Sequence, residues 1–214
     1  IRRDKPENVL KWGSGVMNQV AIQEAANIRF PMENFIGIWW SGSEVDVKPV
    51  GEAANGYKAL PFHGVGMDYP IYDDLKKFVI EPGKASQGGP HVGSVLYSRG
   101  MYAAVVIAEA IKKAQELSGA SAITAAQLRD GFEALDITPE RLAELGLPDF
   151  GPEIKKTCDN HGASGKSREQ QWDAAAGKWN LITDFTEPDQ EILTPLITED
   201  SEAFAKEAGI TPRC

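Results

Sequence analysis

The run Phe35-Ile36-Gly37-Ile38-Trp39-Trp40 has no charged or strongly polar residue, and it stops at Ser41-Gly42-Ser43. A strand without a polar face is buried on both sides, which marks a parallel sheet covered by helices on each face. The flanking sequence fits such a sheet. Upstream, Asn8-Val9-Leu10-Lys11-Trp12 reads as a short strand broken by Gly13-Ser14-Gly15. Asn18 caps a helix whose apolar positions Val20, Ala21, Ile22, Ala25, Ala26 and Ile28 keep helical spacing, and Pro31 stops it. Downstream, a short helix is expected around residues 50–54 and a third strand over residues 56–62. This βαβαβ order predicts parallel strands joined by right-handed crossovers. Ligands in such sheets lie at the carboxyl ends of the strands. Here those ends carry Gly13-Ser14-Gly15 and Trp40-Ser41-Gly42-Ser43-Glu44.

The pattern changes after His63-Gly64-Val65-Gly66, which reads as a linker or hinge. Residues 70–80 form a helix and residues 83–91 a loop. Residues 95–117 form the longest helix, about 34 Å at the usual rise per residue. Its first half is apolar nearly all round, which predicts burial, with Ala103, Ile107, Ala110, Ile111 and Ala114 as core. Thr124 caps a further helix, and Thr138-Pro139 opens another that ends at Gly146. Residues 169–173 and 178–185 read as a hairpin, and residues 199–208 as a short amphipathic tail helix. Helices in this region outnumber the strands they would cover, so a second sheet is expected from sequence upstream of Ile1. The start Ile1-Arg2-Arg3-Asp4 lacks an initiator Met, so a processed product or a fragment is expected.

A net charge of −9 disfavours binding to nucleic acid or an anionic membrane, since both need a positive footprint. No run of eighteen apolar residues is present to span a bilayer. The two cysteines, Cys158 and Cys214, are expected to be unpaired, because Cys214 is terminal and termini fray. Motifs for nucleophile elbows, phosphate loops and zinc hydrolases are absent. Cys158-Asp159-Asn160-His161 can be read as a thiolate nucleophile pair, as two zinc ligands, or as a turn; the turn is favoured. Trp39 and Trp40, taken as strand residues, point to opposite faces. Trp40 with Ser41, Ser43 and Glu44 makes a pocket wall for a small polar ligand, against a reading as packing alone. Glu44 can hold an ammonium group or be a solvated loop carboxylate. Tyr97 and Arg99 open the long helix; they can stack on a ligand and pair with its carboxylate, or serve as core and structural ion pair. No cofactor and no metal is expected.

Four segments in order, residues 8–15, 35–44, 56–60 and 97–104 (Tyr97-Ser98-Arg99-Gly100 leading to Tyr102-Ala103-Ala104), resemble the periplasmic solute-binding proteins of branched-chain amino acid ABC transporters, a type I periplasmic-binding-protein family. The resemblance implies an α/β fold of two lobes joined by a three-stranded hinge, with ligand trapped between them. It places this chain in the later portion of such a protein. Residues 1–64 are then a second-lobe βαβαβ segment, 65–165 a helical segment returning to the first lobe, 166–190 a hairpin returning to the second, and 191–214 a tail. The first-lobe sheet is missing and would be supplied as partner polypeptide. By position, the family's ligand contacts fall on Ser14, Gly15, Trp40, Ser41, Gly42, Glu44 and Tyr97, with Glu44 placed for a ligand ammonium. The second loop is longer than the family's and carries two tryptophans, which leaves room for an aromatic or carboxylic ligand. The implied role is a non-enzymatic, periplasmic (extracytoplasmic) solute-binding component, with a small-molecule ligand and an ABC-transporter membrane permease as partners. The alternatives are a ligand-sensing module of the same fold coupled to a receptor, and an enzyme using Cys158 and His161.

Overall fold

Three short strands, β1 (Val9–Lys11), β2 (Phe35–Ile38) and β3 (Lys58–Leu60), pair in parallel and in chain order in the computed structural model. Gly37 lies opposite Lys11 on one side and Ala59 on the other. The predicted hairpin adds two antiparallel strands, β6 (Gln170–Asp173) and β7 (Lys178–Leu181), giving the order β1-β2-β3-β6-β7. The structure describes residues 1–85, 89, 91–211 and 214; part of the expected loop over 83–91 lies outside them.

Helix α1 (Val16–Asn27) returns the chain from β1 to β2 and buries Ile22 and Ala25 against Phe35, Val47, Tyr57 and Ala59. The hairpin closes the same core with Trp172 and Trp179, which face each other across β6 and β7 at 5.3 Å. Gly37 has a steric reason to lack a side chain. A Cβ there would sit 2.1 Å from the Tyr57 hydroxyl, which donates to the Ser41 carbonyl at 2.9 Å.

The strand expected to run through Trp40 ends earlier. Residues Trp39–Ser41 form a 3₁₀ turn. The two indoles therefore do not alternate across a pleat; their centroids are 5.1 Å apart. After the turn come α2 (Glu44–Val47) and a kinked 3₁₀ segment over Lys48–Ala54. Helix α3 (Ile71–Leu75) continues as a π-helical turn over Lys76–Ile80. The long helix is α4 (Val95–Ser118).

The chain divides into two compact units, the first comprising Ile1–Val105, Pro139–Pro152 and Ser167–Phe185 and the second Val106–Thr138, Glu153–Lys166 and Thr186–Cys214. The first unit holds the five-stranded sheet, α1–α3, the opening turns of α4, and α6 (Pro139–Glu144).

In the second unit, the rest of α4 packs on α5 (Ala125–Glu133). The crossing is close because Gly131 faces it: a Cβ there would meet the Ala110 carbonyl at 2.3 Å. Strands β4 (Asp136–Ile137) and β5 (Ile154–Lys155) form a small antiparallel ladder. Helix α7 (Gln190–Ala208) begins well before the expected tail helix, capped by the Asp189 carboxylate, which accepts from the amides of Glu191 and Ile192. Pro195 lies within it.

Two expectations are corrected here. Cys158 and Cys214 form a disulfide, with Cα atoms 5.8 Å apart, so the terminal residue is tied down and not frayed. The α4 stripe is only partly core. Ala110 and Ala114 are buried, but Ala103 is exposed and Ile107 is 47% and Ile111 36% exposed. The apolar first half is likewise split, with Val95 and Tyr102 buried and Leu96 half exposed.

Candidate ligand-binding site

The carboxyl ends of β1 and β2 meet in one buried polar network in the first unit. Asn18, on α1, is fully buried. Its amide nitrogen donates to the Trp40 carbonyl at 2.7 Å and to Asp46 Oδ1 at 2.8 Å. Its amide oxygen accepts from Lys11 Nζ and from Ser41 Oγ. Asp46 Oδ2 accepts from the amide and hydroxyl of Ser43, forming a capping box at the start of α2. One side chain thus bonds to the end of β1, the turn after β2 and α2. A buried network with its members paired holds its geometry firmly, because breaking any bond leaves a desolvated partner.

The structure ties the two expected loops together through Ser41 and Gly13, and gives the expected site residues different roles. Ser14 and Gly15 lie in the exposed loop after β1; Gly15, with φ 63°, precedes α1. Trp40 is 52% exposed. Ser41 is buried, and its hydroxyl is used internally, its one proton lying between the Gly13 carbonyl at 2.7 Å and the Asn18 amide oxygen at 3.1 Å. Gly42 is also buried, its carbonyl accepting from the Gln170 amide at 2.6 Å. Glu44 is half-buried, and both its oxygens face the Val95 amide, at 3.1 and 3.3 Å. A carboxylate at that position stabilises the positive N-terminus of α4, so Glu44 links the second loop to the helix that carries Tyr97. Tyr97 is half-buried in the first turn of α4.

Sequence reading left out an aromatic row at these strand ends. Trp12 directly follows β1, Trp39 directly follows β2, and Phe62 lies just beyond β3. Trp39 meets Trp12 edge-on at 6.3 Å, Trp40 at 5.1 Å and Phe62 at 6.4 Å. Trp12 is 72% exposed, the most open of the four. The signal was in the sequence: an aromatic residue at or next to the end of each predicted parallel strand.

Beside this row stands Arg99. Its Nε donates to His63 Nε2 at 3.2 Å, one Nη donates to the Trp39 carbonyl at 2.9 Å, and the guanidinium lies 5.4 Å from the Phe62 ring centre. Because arginine only donates, His63 Nε2 must be unprotonated, and Nδ1–H then donates to the Gly64 carbonyl at 2.8 Å. Burial is the main cause that lowers the His63 pKa to about 4, so the ring is neutral. His63 also stacks on Phe150, with ring centres 5.8 Å apart.

A concavity of about 550 Å³ lies along β7, lined by Glu44 together with Tyr69, Gly93, Lys178 and Trp179 among others. In the second unit, the segment around Cys158 is a turn, with the Thr157 hydroxyl donating to Asp159 and the Thr157 amide to the Asn160 carbonyl. The sulfur of Cys158 is held in the disulfide.

No protein-family model matches the chain, and no curated protein matches it. Solved structures do. An ABC transporter permease from the Pseudomonas fluorescens group is 37% identical with a TM-score of 0.93, over 100% of this chain and 51% of that one. A branched-chain amino acid ABC transporter protein from Thermus thermophilus with bound valine is 20% identical with a TM-score of 0.67, over 90% of this chain and 50% of that one. A solute-binding protein of an ABC transporter from Rhodopseudomonas palustris HaA2, in complex with p-hydroxybenzoic acid, is 13% identical with a TM-score of 0.58, over 90% of this chain and 49% of that one. The chain spans about half the length of each of these structures.

Proposed function

We propose that this chain, which has the type I periplasmic-binding-protein fold of the leucine/isoleucine/valine-type ABC-transporter solute-binding proteins, forms one wall of a small-molecule binding site at the carboxyl ends of β1, β2 and β3. The observation that carries this reading is the convergence at those ends of a rigid buried network and an exposed aromatic row. Rigid polar loops with exposed rings suit a site that orients a small solute. Trp40 supplies a stacking face, Ser14 and Gly15 offer loop polar groups, Ser41 and Gly42 hold the second loop in shape, and Tyr97 closes the helix side. Glu44 can accept a ligand ammonium from the same oxygens that cap α4.

The binding role fits a solute carrier better than an enzyme, since the thiol of the one nucleophile–imidazole cluster is committed to a disulfide. We place the protein outside the cytoplasm, delivering its solute to an ABC-transporter permease. The disulfide is at home in an oxidising compartment, one similar structure is an extracellular ligand-binding receptor from Rhodopseudomonas palustris, and no helix among the described residues is long and apolar enough to cross a membrane. The other wall of the site comes from polypeptide beyond the half that this chain represents.

Titration calorimetry on the full-length polypeptide, with L-valine, L-phenylalanine and 4-hydroxybenzoate as probes, tests the site. Trp40→Ala weakens binding of whichever probe binds by at least about fivefold, the value of one lost aromatic contact. Glu44→Gln keeps a cap acceptor while removing the charge, so it weakens an ammonium-bearing probe selectively. Affinities unchanged in both variants would remove the strand ends as the site.

A further inference from the structure

Arg99 has donors to spare. A guanidinium carries five N–H groups. Of these, the structure commits one to His63 Nε2 and one to the Trp39 carbonyl. Among the described residues, Arg99 has no carboxylate within ion-pair distance. Its two bonded partners are a neutral imidazole and a peptide carbonyl, so neither balances its charge. Asp46 is the acidic group whose field reaches it, but both Asp46 oxygens are taken up by Ser43 and Asn18. A half-buried cation without a contacting anion is costly, and a carboxylate that bonds it through two parallel N–H groups offsets that cost.

The surroundings narrow the class further. Arg99 lies over Phe62, whose ring is the end member of the row Trp12–Trp39–Phe62, with Trp40 beside Trp39. A cation at one end of a row of rings set edge to face matches a ligand with an anionic end and a flat apolar body that ring edges and faces can both contact. We propose that Arg99 is the anion-binding group of this site and that its ligand is a planar aromatic carboxylate. This rests on the strand ends being the ligand site.

The test compares benzoate with its neutral isostere benzamide on the full-length polypeptide, read by tryptophan fluorescence and calorimetry, in wild type, Arg99→Met and Arg99→Lys. Wild type binds benzoate at least about tenfold more tightly than benzamide, as expected for a charge-assisted pair. Arg99→Met brings the two probes to within about twofold of each other, and Arg99→Lys restores part of the preference. If Arg99 only braces the fold, Arg99→Met weakens both probes equally and the preference survives; that result overturns the proposal. Equal binding of benzoate and benzamide by wild type overturns it too. If neither aromatic probe binds while L-valine binds in a Trp40-dependent way, the ligand class is wrong and the site stands. If no probe binds and Trp40→Ala changes nothing, the site and the class fall together.

Discussion

His63 shows how much one residue type can carry. It is fully buried, neutral, bonded at both ring nitrogens and stacked on Phe150. Arg99 and Arg168 are the charged groups whose fields oppose its protonation. The unfolded chain takes up a proton near pH 6.5, whereas the folded ring does so only near about pH 4. Between those values the unfolded state binds more protons, so His63 makes stability fall as pH falls through this window. The span corresponds to on the order of 3 kcal/mol. His63→Gln keeps an acceptor for Arg99 but does not titrate. The stability gap between wild type and His63→Gln, measured by urea unfolding, therefore narrows between pH 7 and pH 4. A gap independent of pH would show that protonation of His63 is not coupled to folding. Nothing in the sequence marks His63 this way; in the text of the chain it is the first residue of a Gly-rich turn. Its role depends on Arg99 and Phe150, which are distant in sequence.

At the scale of elements, the parallel strands, α1, the long helix and the return hairpin were legible because each carries a local signature. Phe35-Ile36-Gly37-Ile38 lacks a polar face, Ile22 and Ala25 keep helical spacing, and Gly177 lies in the turn between two short strands. What was not legible depended on partners. The 3₁₀ turn at Trp39–Ser41 is fixed by the Tyr57 and Asn18 side chains bonding to the carbonyls of Ser41 and Trp40, and composition alone reads it as more strand. The loops after β1 and β2 were legible as the candidate site, but their internal bonding was not. Ser41 reads as a ligand hydroxyl until its internal bonds are seen, and in sequence Arg99 fits a ligand carboxylate or a structural ion pair alike. Helix α4 shows the same limit. Periodicity identifies its apolar stripe, but whether Ile107 or Ala110 faces protein is decided by what lies opposite. Gly131 of α5 lies opposite Ala110 and Ala114. Ile107, Ile111 and Leu117 are left open. We expect this face to be covered by a sheet of the counterpart lobe. Ile107→Asp then destabilises the full-length polypeptide by about 2–4 kcal/mol, because it buries a charge. A change within about 0.5 kcal/mol, seen by denaturant unfolding, would show that the face is bare.

In the whole molecule, the proposed ligand wall lies at the strand ends of a chain that spans about half of several ABC-transporter structures. A second concavity exists along β7, lined by Lys178 and Trp179, where the indole N–H of Trp179 is buried with no partner among the described residues. The two places share Glu44, so residues 12–15 and 62–64 on one side and 177–181 on the other tell them apart by amide protection. The most direct measurement is hydrogen–deuterium exchange on the full-length polypeptide with and without saturating benzoate, L-valine or L-phenylalanine. The account predicts that a bound probe slows exchange in peptides covering residues 12–15, 39–44, 62–64 and 97–99. Protection confined to residues 177–181, with the strand-end peptides unchanged, would contradict it.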